Sequence, residues 1–248
     1  MIKNSNDRTP NLRISPKDVA SHALVVGDPG RVMDASKYMH NVHELGFSRE
    51  YRTITGVFNK KKITISSHGV GSSGANVCFH ELFRCGVRYI IRAGTCGAMK
   101  KEIRDGDLII GSAAIREDGA SEHLAPMSFP AVADCSVSAA LALSAANFSI
   151  QPHEGIVLTQ AYFYPGILSS ELDYWLKTGL ISCVEMEFAT LLVMAMLNGV
   201  KAGGIFTSDG NLTEEANPNA YNPHRKVVEE GKQRMLQIAL QALASLPD

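Results

Sequence analysis

The sequence predicts an α/β fold in which a largely parallel β-sheet carries helices on both faces. Seven short apolar runs recur along the chain, and several alternate with segments of helical periodicity, the pattern of βαβ units. Glycine, proline and Asx residues punctuate the runs where turns are needed.

The elements follow in order. HALVVG (22–27) reads as a strand, and after it Asp28 suits a helix N-cap and Pro29 the first helical position. His40 and His43 are three apart on a possible helix and read as surface residues rather than metal ligands. KITISS (62–67) is the next strand. It leads into GANVCFHELFRCG, where Val77, Phe79, Leu82 and Phe83 share a helix face and Gly86 suits the C′ position. VRYIIRAG (87–94), DLIIGSAAI (107–115) and EGIVLTQ (154–160) are further strands. LISCVEM (180–186) runs into MEFATLLVMAMLNG, apolar through 197 and stopped at Asn198-Gly199, which predicts a buried helix. VKAGGIFTSD (200–209) is the last strand, and His224 to Ser245 has helical spacing. The polar, turn-rich stretch 210–223 predicts a mobile loop in a single domain spanning 1–248, since no repeat or linker divides the chain.

Composition narrows the function. With 24 Lys and Arg against 25 Asp and Glu, no overall field favours nucleic acid or an acidic membrane, so any anion is held by local placement of charge. The five cysteines, Cys78, Cys85, Cys96, Cys135 and Cys183, form no CxxC pair and read as reduced thiols; no metal is implied. The N-terminal residues lack the apolar run of a secretory signal, and no stretch approaches the ~20 apolar residues of a membrane span, so a cytoplasmic location is expected.

Sheets of this class bind ligands beyond the carboxyl ends of their strands, and the charged residues gather there. In VVGDPGRV, backbone N–H groups of a helix start and the Arg31 guanidinium suit an anion. In IIRAGTCG, Arg92 interrupts an apolar run, where its charge needs an anion or a carboxylate. A structural salt bridge is the alternative; two such arginines shift the balance toward phosphate. Glu185 and Glu187 lie where a strand becomes a helix, as partners of its dipole or as acceptors of sugar hydroxyls. Asp209 ends a strand, as a turn residue or as a general acid.

GDPGR, SREYR, SHGVGSSGANVCFHEL, IIRAGTCG, VEMEFAT and SDG, in this order, resemble the hexameric purine nucleoside and uridine phosphorylase family, especially its protozoan parasite members. The resemblance spans about residues 11 to 240. It implies a single-domain phosphorylase fold with a central mixed β-sheet flanked by helices on both faces. It also implies a phosphate site of Gly27, Arg31, Arg92 and Thr95, with Arg49 given by a neighbouring subunit. Ribose would rest on Met186 and Glu187, and the base near Cys96, Gly97 and Phe163 with Asp209 toward purine N7. Asn11 stands where the family commonly has a histidine that reaches a neighbour's ribose 5′-hydroxyl.

The implied reaction is phosphorolysis of inosine- or guanosine-type nucleosides to purine and ribose 1-phosphate, for purine salvage. Inorganic phosphate is the co-substrate, no cofactor is needed, and Asp209, Glu187 and Arg92 are the catalytic residues. The implied assembly is a trimer of dimers with Arg49 and Asn11 crossing the dimer interface. Uridine-specific members hold uracil with a glutamine and an arginine after FYPG, where this chain has Ile167 and Ser169, so purine is favoured. Uridine phosphorolysis, hydrolysis by a nucleosidase and nucleoside binding without catalysis are the alternatives.

Overall fold

In the computed structural model, Asp28 accepts a hydrogen bond from the Gly30 N–H at 2.7 Å, and Pro29 opens the first helix, as the turn chemistry requires. The structure describes residues 7–164, 166, 171–213 and 222–248. Its strands are β1 (His22–Val26), β2 (His40–Ser48), β3 (Tyr51–Phe58), β4 (Lys61–Ser67), β5 (Tyr89–Ala98), β6 (Leu108–Glu117), β7 (Ala131–Val132), β8 (His153–Gln160), β9 (Ile181–Glu185) and β10 (Lys201–Asn211). Its helices are α1 (Pro29–Ser36), α2 (Ser72–Arg84), α3 (Cys135–Asn147), α4 (Glu171–Thr178), α5 (Phe188–Leu197) and α6 (Lys226–Ser245).

The sheet is mixed rather than largely parallel. Half of its described pairings are antiparallel: β2 with β3, β3 with β4, β5 with β9, β6 with β7 and β6 with β10. Strand β10 pairs with both β5 and β6, which closes β5, β9, β8, β6 and β10 into a ring; β1, β4, β3 and β2 extend from β5. Strands β5 and β9 run oppositely and overlap only at Gly97↔Val184 and Ala98↔Cys183. Their carboxyl ends therefore meet, and the ligand-binding ends of two strand sets face one space.

His40 and His43 lie on β2, not on a helix. This edge strand is mostly exposed and carries two register shifts against β3, so it lacks the alternation that marks a half-buried strand. The predicted stops hold elsewhere: Gly86 follows α2 with φ 95°, and α5 ends at Asn198 with Gly199 at φ 66°.

One packing arrangement places the site. Gly204 of β10 pairs with Gly111 of β6, and Phe188 occupies the groove between them. A Cβ added at Gly111 would lie 2.5 Å from Phe188, and one at Gly204 would lie 2.6 Å from it. Phe188 is fully buried and meets Phe206 edge-on at 5.2 Å. Burial of such a ring contributes about 3 kcal/mol, and it fixes the start of α5, hence the position of the preceding Glu187.

Candidate active site

A cavity of about 940 Å³ opens where β1, β5, β8, β9 and β10 end. Gly27, Arg31, Arg92, Thr95, Cys96, Gly97, Phe163, Met186, Glu187 and Asp209 all line it. Arg49 and Asn11 do not. Arg49 is exposed at the turn between β2 and β3, with φ 57°, while its neighbour Glu50 reaches the cavity of its own chain. The Asn11 side-chain amide donates to Glu81 at 2.7 Å.

Arg92 is 4% exposed and is held on three sides. Its Nε donates to Glu185 Oε2 at 2.9 Å, Nη1 donates to His68 Nε2 at 2.7 Å, and Nη2 pairs with Glu187. Burial opposes the charge, but Glu187 and Glu185 more than offset it and raise the Arg92 pKa above its ordinary value. Of the sequence alternatives the salt bridge is thus present: three of the five guanidinium N–H groups bind protein, and Arg92 also lines the cavity.

Arg31 has no ion pair among the described residues. Burial lowers its pKa, Asp28 opposes the shift, and the like charge of Arg92 adds to it. Two neighbouring guanidiniums in a partly desolvated cleft, flanked by the Gly27 and Gly94–Thr95 backbone, favour a bound anion.

The two glutamates divide the work. Glu185 accepts from Thr159 Oγ1 at 2.7 Å, from Glu187 N at 2.8 Å and from Phe188 N at 3.0 Å, so it caps α5 and anchors Arg92. Glu187 faces the cavity and accepts from Gly71 N at 2.5 Å. Burial raises its pKa against the pull of Arg92, and Glu185 adds to the rise.

Asp209 owes its aim to a backbone irregularity. Ser208 pairs with Cys96 and Gly210 with Gly97, which leaves Asp209 as the extra residue of a β-bulge on β10. It is 7% exposed at the cavity wall, and its carbonyl accepts from Arg225 Nη2 at 3.2 Å. Arg225 in turn pairs with Asp105. Sequence reading missed His68, Asp105, Arg225 and Gln160 at this cavity or behind it; His68 follows β4 directly, the same strand-end signal that marks Arg92. Ile167 and Ser169 lie outside the described residues, as does 214–221 of the predicted loop.

The phosphorylase superfamily profile matches residues 21–244. The chain belongs to this superfamily. The purine nucleoside phosphorylase of Plasmodium falciparum isolate 3D7 is 38% identical over 241 residues, covering 95% of this chain and 96% of that one. The uridine phosphorylase of Escherichia coli K12 is 32% identical over 236 residues, covering 88% and 93%. Among solved structures, Toxoplasma gondii purine nucleoside phosphorylase in complex with immucillin-H superposes with a TM-score of 0.92 at 33% identity, covering 98% of each chain. The mixed sheet flanked by helices is thus the superfamily's fold. Among the described residues no helix is long and apolar enough to cross a membrane, and no three His, Cys, Asp or Glu side chains gather as metal ligands.

Proposed function

We propose that this phosphorylase superfamily member is a purine nucleoside phosphorylase that converts a 6-oxopurine nucleoside and inorganic phosphate to free purine and ribose 1-phosphate. The observation that carries the reading is the convergence of Arg31, Arg92, Glu187 and Asp209 on one cavity.

Cleavage of a ribosyl C–N bond gathers positive charge on the sugar and negative charge on the leaving base. Phosphate held by Arg31, Arg92 and Thr95 supplies the nucleophile, and its fixed position replaces a bimolecular encounter. Glu187 accepts from the ribose hydroxyls and stabilises the developing positive charge. Asp209 in its acid form donates a proton to the leaving base at N7. Cys96, Gly97 and Phe163 flank the base, and Met186 the ribose. No metal or cofactor is required.

The purine assignment is supported by Asp209 and by the Plasmodium and Toxoplasma relatives. Uridine phosphorolysis is the second reading, favoured by the Escherichia coli relative. Assembly as a trimer of dimers in the cytoplasm, with Arg49 and Asn11 completing a neighbour's site, belongs to the same proposal; Arg49 is exposed and absent from its own chain's cavity. A side-by-side assay of inosine and uridine in phosphate tests the reading. Inosine is expected to be cleaved at least tenfold more efficiently; a preference for uridine overturns it.

A further inference from the structure

Gln160 ends β8, is 4% exposed and lines the cavity, yet its Nε2 has no hydrogen-bond partner among the described residues. Buried amides are otherwise nearly always paired, so an unmet donor at a cavity wall marks a place for an acceptor that arrives with a ligand.

Register shows which part of the cavity it faces. Thr159 pairs with Glu185 and Leu158 with Val184 across β8 and β9, so Gln160, by alternation, shares the face of Leu158 and Val184. Val184 and Leu212 both close on Gly97: a Cβ there would meet them at 3.4 and 2.7 Å. Leu172 and Val184 both pack against the buried cluster of Met99, Leu158 and Ile181, and both line the cavity. The wall begins five residues beyond Arg92 on β5, and the Arg92 guanidinium reaches forward over Gly94, where a Cβ would lie 2.9 Å from it, so about three residues, roughly 10 Å of extended strand, part the charged end of the cavity from the apolar one. A heteroaromatic ring fits the second, and a carboxamide there supplies a neutral, directional contact.

We propose that Gln160 reads the base: its Nε2 donates to the exocyclic carbonyl of a 6-oxopurine lying against Gly97, Val184 and Leu172. The inference rests on the purine reading above and adds the residue that selects the carbonyl. The competing acceptor is Glu117, the registered neighbour of Gln160 on β6. Its Oε1 accepts from Trp175 Nε1 at 2.6 Å, and its Oε2 has no partner among the described residues. A Gln160–Glu117 pair would serve packing alone and would not distinguish bases.

The test crosses two enzymes with two substrates: wild type and Gln160→Leu, on inosine and on purine riboside, which lacks the 6-oxo group. Loss of one buried hydrogen bond should lower kcat/KM for inosine by about tenfold or more. Purine riboside should change less than threefold, with the KM for phosphate unaltered. Gln160→Glu, which keeps the size and removes the donor, should show the same selective loss and guards against misfolding of the leucine variant. Equal losses on both nucleosides, or none, overturn the inference and leave Gln160 as a packing partner of Glu117. A wild-type enzyme that cleaves neither purine nucleoside overturns the purine reading, and this inference with it.

Discussion

Arg92 donates from Nη1 to Nε2 of His68 across 2.7 Å, while His68 Nδ1 lies 2.9 Å from the Gly69 carbonyl. A guanidinium has no lone pair to offer, so Nε2 is the acceptor and the imidazole is the neutral Nδ1–H tautomer. Burial and the charge of Arg92 push its pKa well below the ordinary value. His68 is thus a rigid neutral strut for Arg92, not an acid or base at neutral pH.

Stability should record this. Below about pH 6.5 the unfolded chain takes up a proton that native His68 refuses, so the stability that the neutral ring contributes is complete above that pH and is lost as pH falls toward the lowered native value. The slope is about 1.4 kcal/mol per pH unit for one proton. Glu187, whose pKa is raised, acts with opposite sign, from its ordinary value upward to its native one, and is common to both proteins compared below. Urea unfolding at pH 7 and pH 5.5 should show wild type losing more stability on acidification than His68→Gln, which cannot titrate; equal losses would show that His68 is protonated in the native state.

Arg31, without an ion pair, should be the more expendable arginine for folding and the more telling one for anion binding. Arg31→Ala should raise the KM for phosphate at least tenfold and abolish the rise in Tm that phosphate or sulfate gives wild type. The check is thermal unfolding across a phosphate titration, and an undiminished rise in the variant would exclude Arg31 from the anion site.

Glu185 and Glu187 should separate stability from turnover. Glu185→Ala removes one of the two carboxylates that pair with buried Arg92 and uncaps α5, with an expected loss of about 3 kcal/mol or more. Glu187→Gln should leave the fold largely intact and lower kcat at least a hundredfold. Paired denaturation and kinetic measurements compare them, and a reversed pattern contradicts the division of roles.

Gly204→Ala should act on the site through packing. The added methyl group meets Phe188, with an expected cost of about 1–3 kcal/mol, and displaces the start of α5 with Glu187. Denaturant midpoints and kcat should fall together; a stability loss with unchanged kcat would show that Phe188 does not set the position of Glu187.

Much of this was legible in the sequence, for physical reasons. Buried strands such as HALVVG are continuous apolar runs, and charged residues at their ends stand out, so Arg31, Arg92, Glu187 and Asp209 could be named before their meeting was visible. Strand β2 was illegible because an exposed edge strand with bulges carries no period-two pattern. The alanine-rich α3, apolar around most of its surface, gave no clear helix face, and α4 has one in Leu172, Trp175 and Leu176 but is only 8 residues long, too short for periodicity to stand out. The antiparallel meeting of β5 and β9 depends on closure of the strand ring, a tertiary relation that periodicity does not encode. His68 and Gln160 are lone polar residues at strand ends, and only their burial and missing or shared partners distinguish them.

The central claim is that phosphate, seated between Arg31 and Arg92, is the attacking nucleophile. The most direct measurement follows inosine cleavage with and without phosphate and identifies the sugar product. Base release that saturates with phosphate and matches ribose 1-phosphate mole for mole is the predicted result; an equal rate in phosphate-free buffer, yielding free ribose, would contradict it.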